Sequence, residues 1–105
     1  MLARENRFSF KNKLPNKTFA STFFNIRYDK NEEGLRVAVV VSKKVDKRAT
    51  VRNRVKRVIL ESVQKELDLK KPLTLVFYAK AQAASSESLN KEVSQALNKL
   101  TKTTN

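Results

Sequence analysis

The chain has no cysteine, no histidine and no tryptophan, and it has one glycine and two prolines in 105 residues. Without cysteine there are no disulfides and no thiolate metal sites; without histidine the usual general base and the commonest transition-metal ligand are missing too. Most side-chain-driven enzyme mechanisms are thereby closed, and any catalysis involving this chain draws its reactive groups from a partner. The single glycine, Gly34, excludes a glycine-rich phosphate loop and a dinucleotide fingerprint. No apolar run approaches the roughly 18 residues of a membrane span. The opening MLARENRF, with Arg4, Glu5 and Arg7, lacks the apolar stretch of a secretory signal, so the cytoplasm is the expected compartment. Acid is scarce: 10 Asp and Glu stand against 23 Lys and Arg, a net charge of +13. Such a surplus points to a polyanionic partner, either nucleic acid or an anionic membrane surface.

The length suits one domain, 1–105, with one core. Its charge is concentrated. Between Lys43 and Arg57 lie Lys43, Lys44, Lys47, Arg48, Arg52, Arg54, Lys56 and Arg57 against the lone acid Asp46, a local net charge of +7. From Val51 the apolar residues Val51, Val55, Val58, Ile59, Val63 and Leu67 recur at the spacing of an amphipathic helix. At about 100° per residue, Asn53, Lys56 and Arg57 fall on the side away from those valines. Arg52 and Arg54 flank the stripe. Thr50 is expected to cap the helix, and the free N–H groups there attract phosphate. Arginines in a first turn oppose the helix dipole, so helix stability does not explain them and binding does. The plain alternative is a solvated surface face. The clean apolar stripe and the basic segment before it favour an interface.

The remaining pattern predicts an α+β two-layer sandwich: a small sheet with helices on one face, in the order β-β-β-α-β-α. Residues 1–15 read as a basic arm with a short strand at Arg7 to Lys11. Thr18 to Tyr28 reads as one strand, Asp29 to Gly34 as a turn, and Leu35 to Ser42 as the next strand. Pro72 ends the basic helix. Leu73 to Ala79 reads as a central strand and Ala81 to Ser86 as a loop. Ser85 or Ser86 is expected to cap a last helix with Glu87 in its first turn and Leu89, Val93, Leu97 and Leu100 as its stripe, leaving 101–105 as a frayed tail. The uncovered sheet face could present aromatics to unstacked bases: Phe24, Tyr28, and among Phe8, Phe10, Phe19 and Phe23. Core packing is the competing reading for each, since a short domain needs its aromatics inside.

The run Ser42-Lys43-Lys44 closing a strand, then Arg52-Asn53-Arg54-Val55-Lys56-Arg57 entering a helix, resembles the signature of the protein subunits of bacterial ribonuclease P. The agreement in element order extends from about Leu35 to Leu100. The resemblance implies a protein that binds a catalytic RNA and supports Mg²⁺-dependent removal of the 5′ leader from precursor tRNA. It also implies a left-handed β-α-β crossover, against the usual preference. Lys43, Lys44, Lys47, Arg48, Arg52, Asn53, Arg54, Lys56 and Arg57 would then be RNA-binding. No catalytic residue would sit on the protein, Mg²⁺ would lie mostly on the RNA, and neither a membrane nor a small-molecule cofactor would be involved. A cleft on the open sheet face would hold the leader, with Phe8, Phe19, Phe24 and Tyr28 assigned to it. The N-terminus departs from the family pattern: Arg7 to Phe23 is short, contains Pro15 and has no helical stripe, so the family's first helix is expected to be shortened or absent.

Three rival readings compete with this one. A structural RNA-binding protein, such as a ribosomal component, needs the same charge and no role in cleavage. A self-sufficient nuclease would need metal ligands such as Asp29, Glu32 and Glu33, which share a turn with Lys30 and lack ligand spacing. A membrane-surface helix would need aromatic anchors, and the stripe from Val51 is β-branched instead.

Overall fold

In the computed structural model, residues 15–31, 34–67, 72–85 and 88–104 are described. Their elements are β1 (Lys17–Ala20), β2 (Phe24–Lys30), β3 (Arg36–Val40), α1 (Ala49–Glu66), β4 (Leu73–Ala79), α2 (Ala81–Ser85) and α3 (Leu89–Thr104). The strands form one sheet in the order β1-β2-β4-β3. β1 and β4 each pair antiparallel with β2, and β3 runs parallel to β4, so β3, α1 and β4 form a β-α-β unit.

The α+β two-layer plan holds, with corrections inside it. The expected single strand Thr18 to Tyr28 is two strands folded back at Ser21–Phe23. There the Ser21 N–H donates to the Phe24 carbonyl at 2.9 Å and the Phe23 N–H to Ser21 Oγ at 3.2 Å. A serine that can accept from the main chain two residues on turns a chain that β-propensity alone would extend. β2 continues through Asp29 and Lys30, which the turn was expected to contain. The turn is tied down by Asn31: its Oδ1 accepts from the Gly34 N–H at 3.1 Å and its Nδ2 donates to Thr74 Oγ1 at 2.7 Å. Gly34 has φ 94°, the left-handed region where a Cβ is costly. Between Arg7 and Phe23, the described part Pro15–Phe23 holds β1 and no helix, whereas the Arg7 to Lys11 strand lies outside the described residues.

Alternation sets the two faces of the sheet. Phe24, Ile26 and Tyr28 of β2, Val37 and Val39 of β3, and Leu73, Leu75 and Phe77 of β4 point to one side. There they pack with Val55, Ile59, Val63 and Leu67 from α1 and its end, and with Leu89, Val93, Ala96, Leu97 and Leu100 of α3. Both stripes are therefore as the spacing predicts, except that Val51 and Val58 are only half-buried and Ser62 joins the buried side. Ser62 is tolerated because its hydroxyl donates to the Val58 carbonyl at 2.8 Å. Phe77 is fully enclosed at the centre, opposite Ile26 and Val39 and edge-on to Phe24 at 5.6 Å between ring centroids.

Helix ends depart from the expected caps. α1 begins at Ala49 with Arg48 as N-cap and no side-chain cap, so Thr50 lies within the first turn. Ala81–Ser85, expected as loop, is the short helix α2, since alanine favours helix over coil. α3 starts at Leu89, and Ser85 is the last residue of α2; Ser88 directly precedes α3 and its carbonyl accepts the Glu92 N–H at 3.1 Å. Ser86 and Glu87 lie outside the described residues. α3 runs on through Thr104 rather than fraying at 101, with no glycine or proline there to stop it.

Phe77→Ala removes the central ring and is expected to cost about 3–5 kcal/mol. Urea unfolding checks this; an unchanged midpoint would mean that this face of the sheet does not carry the core.

Candidate nucleic-acid interface

The basic segment begins where β3 ends. The Val45 N–H donates to the Ser42 carbonyl at 3.0 Å, closing a turn that leaves Lys43 and Lys44 exposed. Val45, buried, anchors that turn to the protein and gave no sign of it in the sequence, because it sits alone among charges. Asp46 then organises the approach to the helix. Its Oδ1 accepts from the Arg48 N–H at 2.8 Å and from Arg48 Nε at 3.1 Å, and its Oδ2 accepts from Arg48 Nη2 at 3.0 Å. This is the only ion pair among the described residues. Hydrogen bonds from the Arg48 guanidinium, and next from its backbone N–H, hold the Asp46 carboxyl down at about 2 from an ordinary 3.8. The same contacts raise the pKa of Arg48.

Two further arginines turn back onto the protein. Arg52, half-buried, donates from Nη1 to the carbonyls of Asp46 at 3.2 Å and Lys47 at 3.0 Å. Arg54 donates from Nη2 to the carbonyl of Ala84 in α2. By contrast Lys43, Lys44, Lys47, Asn53, Lys56 and Arg57 are exposed, and their side chains make no hydrogen bond or ion pair with the described residues. On α1, Asn53, Lys56 and Arg57 stand at i, i+3 and i+4 and so share one outward face. The helix has no acid in its first turn, so the positive end of its dipole adds to the surrounding cations. Loop and helix, consecutive in the chain, both present exposed donors suited to phosphate oxygens.

The proposed cleft aromatics fall differently. Phe24, 0% exposed, and Tyr28, 7% exposed, belong to the helix-covered core, so neither can stack on a base. Phe19 is half-buried against the same core, and Phe8 lies outside the described residues. Residues expected to serve a cleft serve the core because the register puts Phe19, Ile26 and Phe77 side by side on the helix side. The second face of the sheet carries the other set: Asn25 beside Tyr78 and Val40, and Arg27 beside Thr18, Val76 and Ala38. Tyr78 is its half-exposed aromatic, and Arg27 Nε is enclosed without a hydrogen-bond partner. Neither residue was singled out from the sequence. The alternation Thr74, Val76, Tyr78 would have found Tyr78 once Leu73, Leu75 and Phe77 were set to the helix side.

Among the described residues no three His, Cys, Asp or Glu side chains gather as metal ligands. The donor set therefore does not fit a Mg²⁺ cage built by these residues. No helix among them is long and apolar enough to cross a membrane.

The family model for Ribonuclease P matches residues 2–103. The chain belongs to the ribonuclease P protein family. Among named relatives, a ribonuclease P protein component from a Marinomonas strain is 35% identical over 69 residues, 66% of this chain and 52% of that protein. The ribonuclease P protein component of Bacillus velezensis is 48% identical over 52 residues, 50% of this chain and 44% of that protein. The chain thus spans about half the length of the curated relatives it matches. Among solved structures, the Staphylococcus aureus RNase P protein superposes with a TM-score of 0.65 at 23% identity, covering 82% of this chain and 78% of that one. That likeness establishes the ribonuclease P protein fold and no more.

The Asp46 clamp has a pH signature. A carboxylate pKa lowered on folding favours the folded loop fully above about pH 4, and that contribution fades as pH falls through about 2. The Asp46 carboxyl ¹³C resonance should titrate near 2, and Arg48→Ala should return it toward 3.8. A midpoint near 4 in the unmutated chain would show that Arg48 does not hold it.

Proposed function

We propose that this chain is the protein subunit of ribonuclease P: it binds the catalytic RNA and the 5′ leader of precursor tRNA and supports Mg²⁺-dependent removal of that leader. The observation that carries the reading is the segment from Lys43 to Arg57, in which the side chains of five cations and Asn53 are exposed and unpaired among the described residues. The family assignment says which polyanion to expect there.

Phosphodiester hydrolysis needs an activated water and neutralised phosphoryl oxygens, a role metal ions fill. In this reading Mg²⁺ is held mostly by the RNA, in keeping with the scattered acids of the described residues. The protein's own part is electrostatic. Lys43, Lys44, Lys47, Lys56 and Arg57 neutralise phosphates and so lower the cost of bringing two polyanions together. Asn53 adds a neutral amide that can donate to phosphate or sugar oxygens. The leader lies on the second sheet face, where Tyr78 offers a half-exposed ring for stacking and Arg27 a half-buried positive charge. Such contacts grip a single strand without reading its bases, as suits leaders of varied sequence.

If those five cations each meet a phosphate, log affinity for the RNA should fall with log salt at a slope of roughly −3 to −5. Filter binding across a salt series measures it, and a slope near zero would remove the electrostatic basis of the proposal. Precursor tRNA should be cut at physiological Mg²⁺ faster by chain plus catalytic RNA than by the RNA alone, and not at all by the chain alone. Cleavage by the chain alone would favour a self-sufficient nuclease, and RNA binding without any effect on cutting would favour a structural RNA-binding protein. Tyr78→Ala should weaken binding of leader-bearing precursor about five- to tenfold, the loss of one stacked base, and leave binding of mature tRNA unchanged. Equal losses for both would take the leader off this face.

A further inference from the structure

The arginines of the basic segment differ in what they touch. The Arg57 side chain makes no hydrogen bond or ion pair with the described residues, whereas Arg54, three positions earlier on α1, spends a donor on the carbonyl of Ala84, 30 residues away. That carbonyl lies near the end of α2, a helix of five residues. So short a helix leaves most of its carbonyls without intrahelical partners and is marginal by itself. A helix end is commonly completed by a glycine or by a cationic side chain reaching its last carbonyls. α2 has no basic residue in its last turn, and its sequence AQAAS has no glycine. What it lacks, Arg54 supplies from another helix.

The placement has a purpose in the fold. Ala83, 1% exposed, is α2's anchor in the core, and with Val55, Val58, Ser62 and Leu89 it lines a cleft of about 550 Å³ between α1 and the start of α3, with Arg54 at its rim. The contact therefore joins the outward half of α1 to the segment that follows β4. Arg52 makes the corresponding tie on the other side, to the carbonyls of Asp46 and Lys47. Between the two ties sits Asn53, with Lys56 and Arg57 one turn further on.

We propose that Arg54 is a positioning residue, not a phosphate contact: it caps α2 from within the arginine-asparagine-arginine motif and so holds the α1 face that carries Asn53, Lys56 and Arg57. The inference deepens the RNA-binding reading and rests on it for its RNA arm alone. A motif of three adjacent polar residues is thereby divided, with the two arginines facing the protein and the asparagine facing the partner.

Salt dependence separates the two roles. Each cation that neutralises a phosphate contributes about 0.7–0.9 to the slope of log affinity against log salt. Arg57→Ala should lose about that much. Arg54→Ala should weaken binding about two- to fivefold while keeping the slope within about 0.3 of the unmutated chain. In the free protein, amide exchange in α2 at Gln82 to Ala84 should quicken about five- to tenfold in Arg54→Ala, as loss of one solvent-exposed hydrogen bond gives, and stay unchanged in Arg57→Ala. A full slope loss in Arg54→Ala, an unaltered affinity, or unaltered exchange in α2 would each overturn the proposal. If the unmutated chain binds no RNA, the functional reading fails, while the exchange measurement still decides whether Arg54 caps α2.

Discussion

The structure depends on α1 having one face it must bury. Val55, Ile59 and Val63 leave water by packing on the side of the sheet that carries Val37, Val39, Leu75 and Phe77, at a gain of about 1.5–3 kcal/mol for each fully buried side chain. A helix bound by that stripe has no freedom to rotate. Its polar residues are therefore held outward in a fixed array, which a solvated basic peptide of the same composition could not offer. The price of that array is mutual repulsion among cations, and the protein relieves it locally. Asp46 pairs with Arg48, and Arg52 and Arg54 place their charge against carbonyl dipoles. What stays uncompensated is the set facing away.

Much of this was legible in advance. The α1 stripe, the α3 stripe and the apolar run of β4 each have a period that only one kind of element satisfies, and the elements observed there match. Local hydrogen bonding was not legible. Nothing in the run FASTFF says that Ser21 will accept from the main chain and fold one strand into two. Nothing in Thr50 says that the helix will start two residues earlier, after Asp46 has already taken the Arg48 N–H. Charge count and charge availability proved to be different quantities. Composition counts eight cations in the segment; geometry shows which of them already have partners.

The aromatics carry the same lesson about faces. Phe24 and Tyr28 alternate correctly for a strand, so the pattern identified their shared side without saying whether helices or solvent lay on it. The answer came from β4. Its residues Leu73, Leu75 and Phe77 align with β2 and β3 to form the side that α1 and α3 cover. Tyr78 and Arg27 are left for the other side, with Arg27 drawn into a partly enclosed setting next to Val76.

The outer strands of the sheet, β1 with 4 residues and β3 with 5, are short. Unpaired strand borders invite another chain to extend the sheet, and brevity together with lysine discourages it. Lys17 opens β1, and Lys43 and Lys44 lie just beyond β3. The ammonium groups that make this border attractive to a polyanion also make it a poor template for a second copy of the chain.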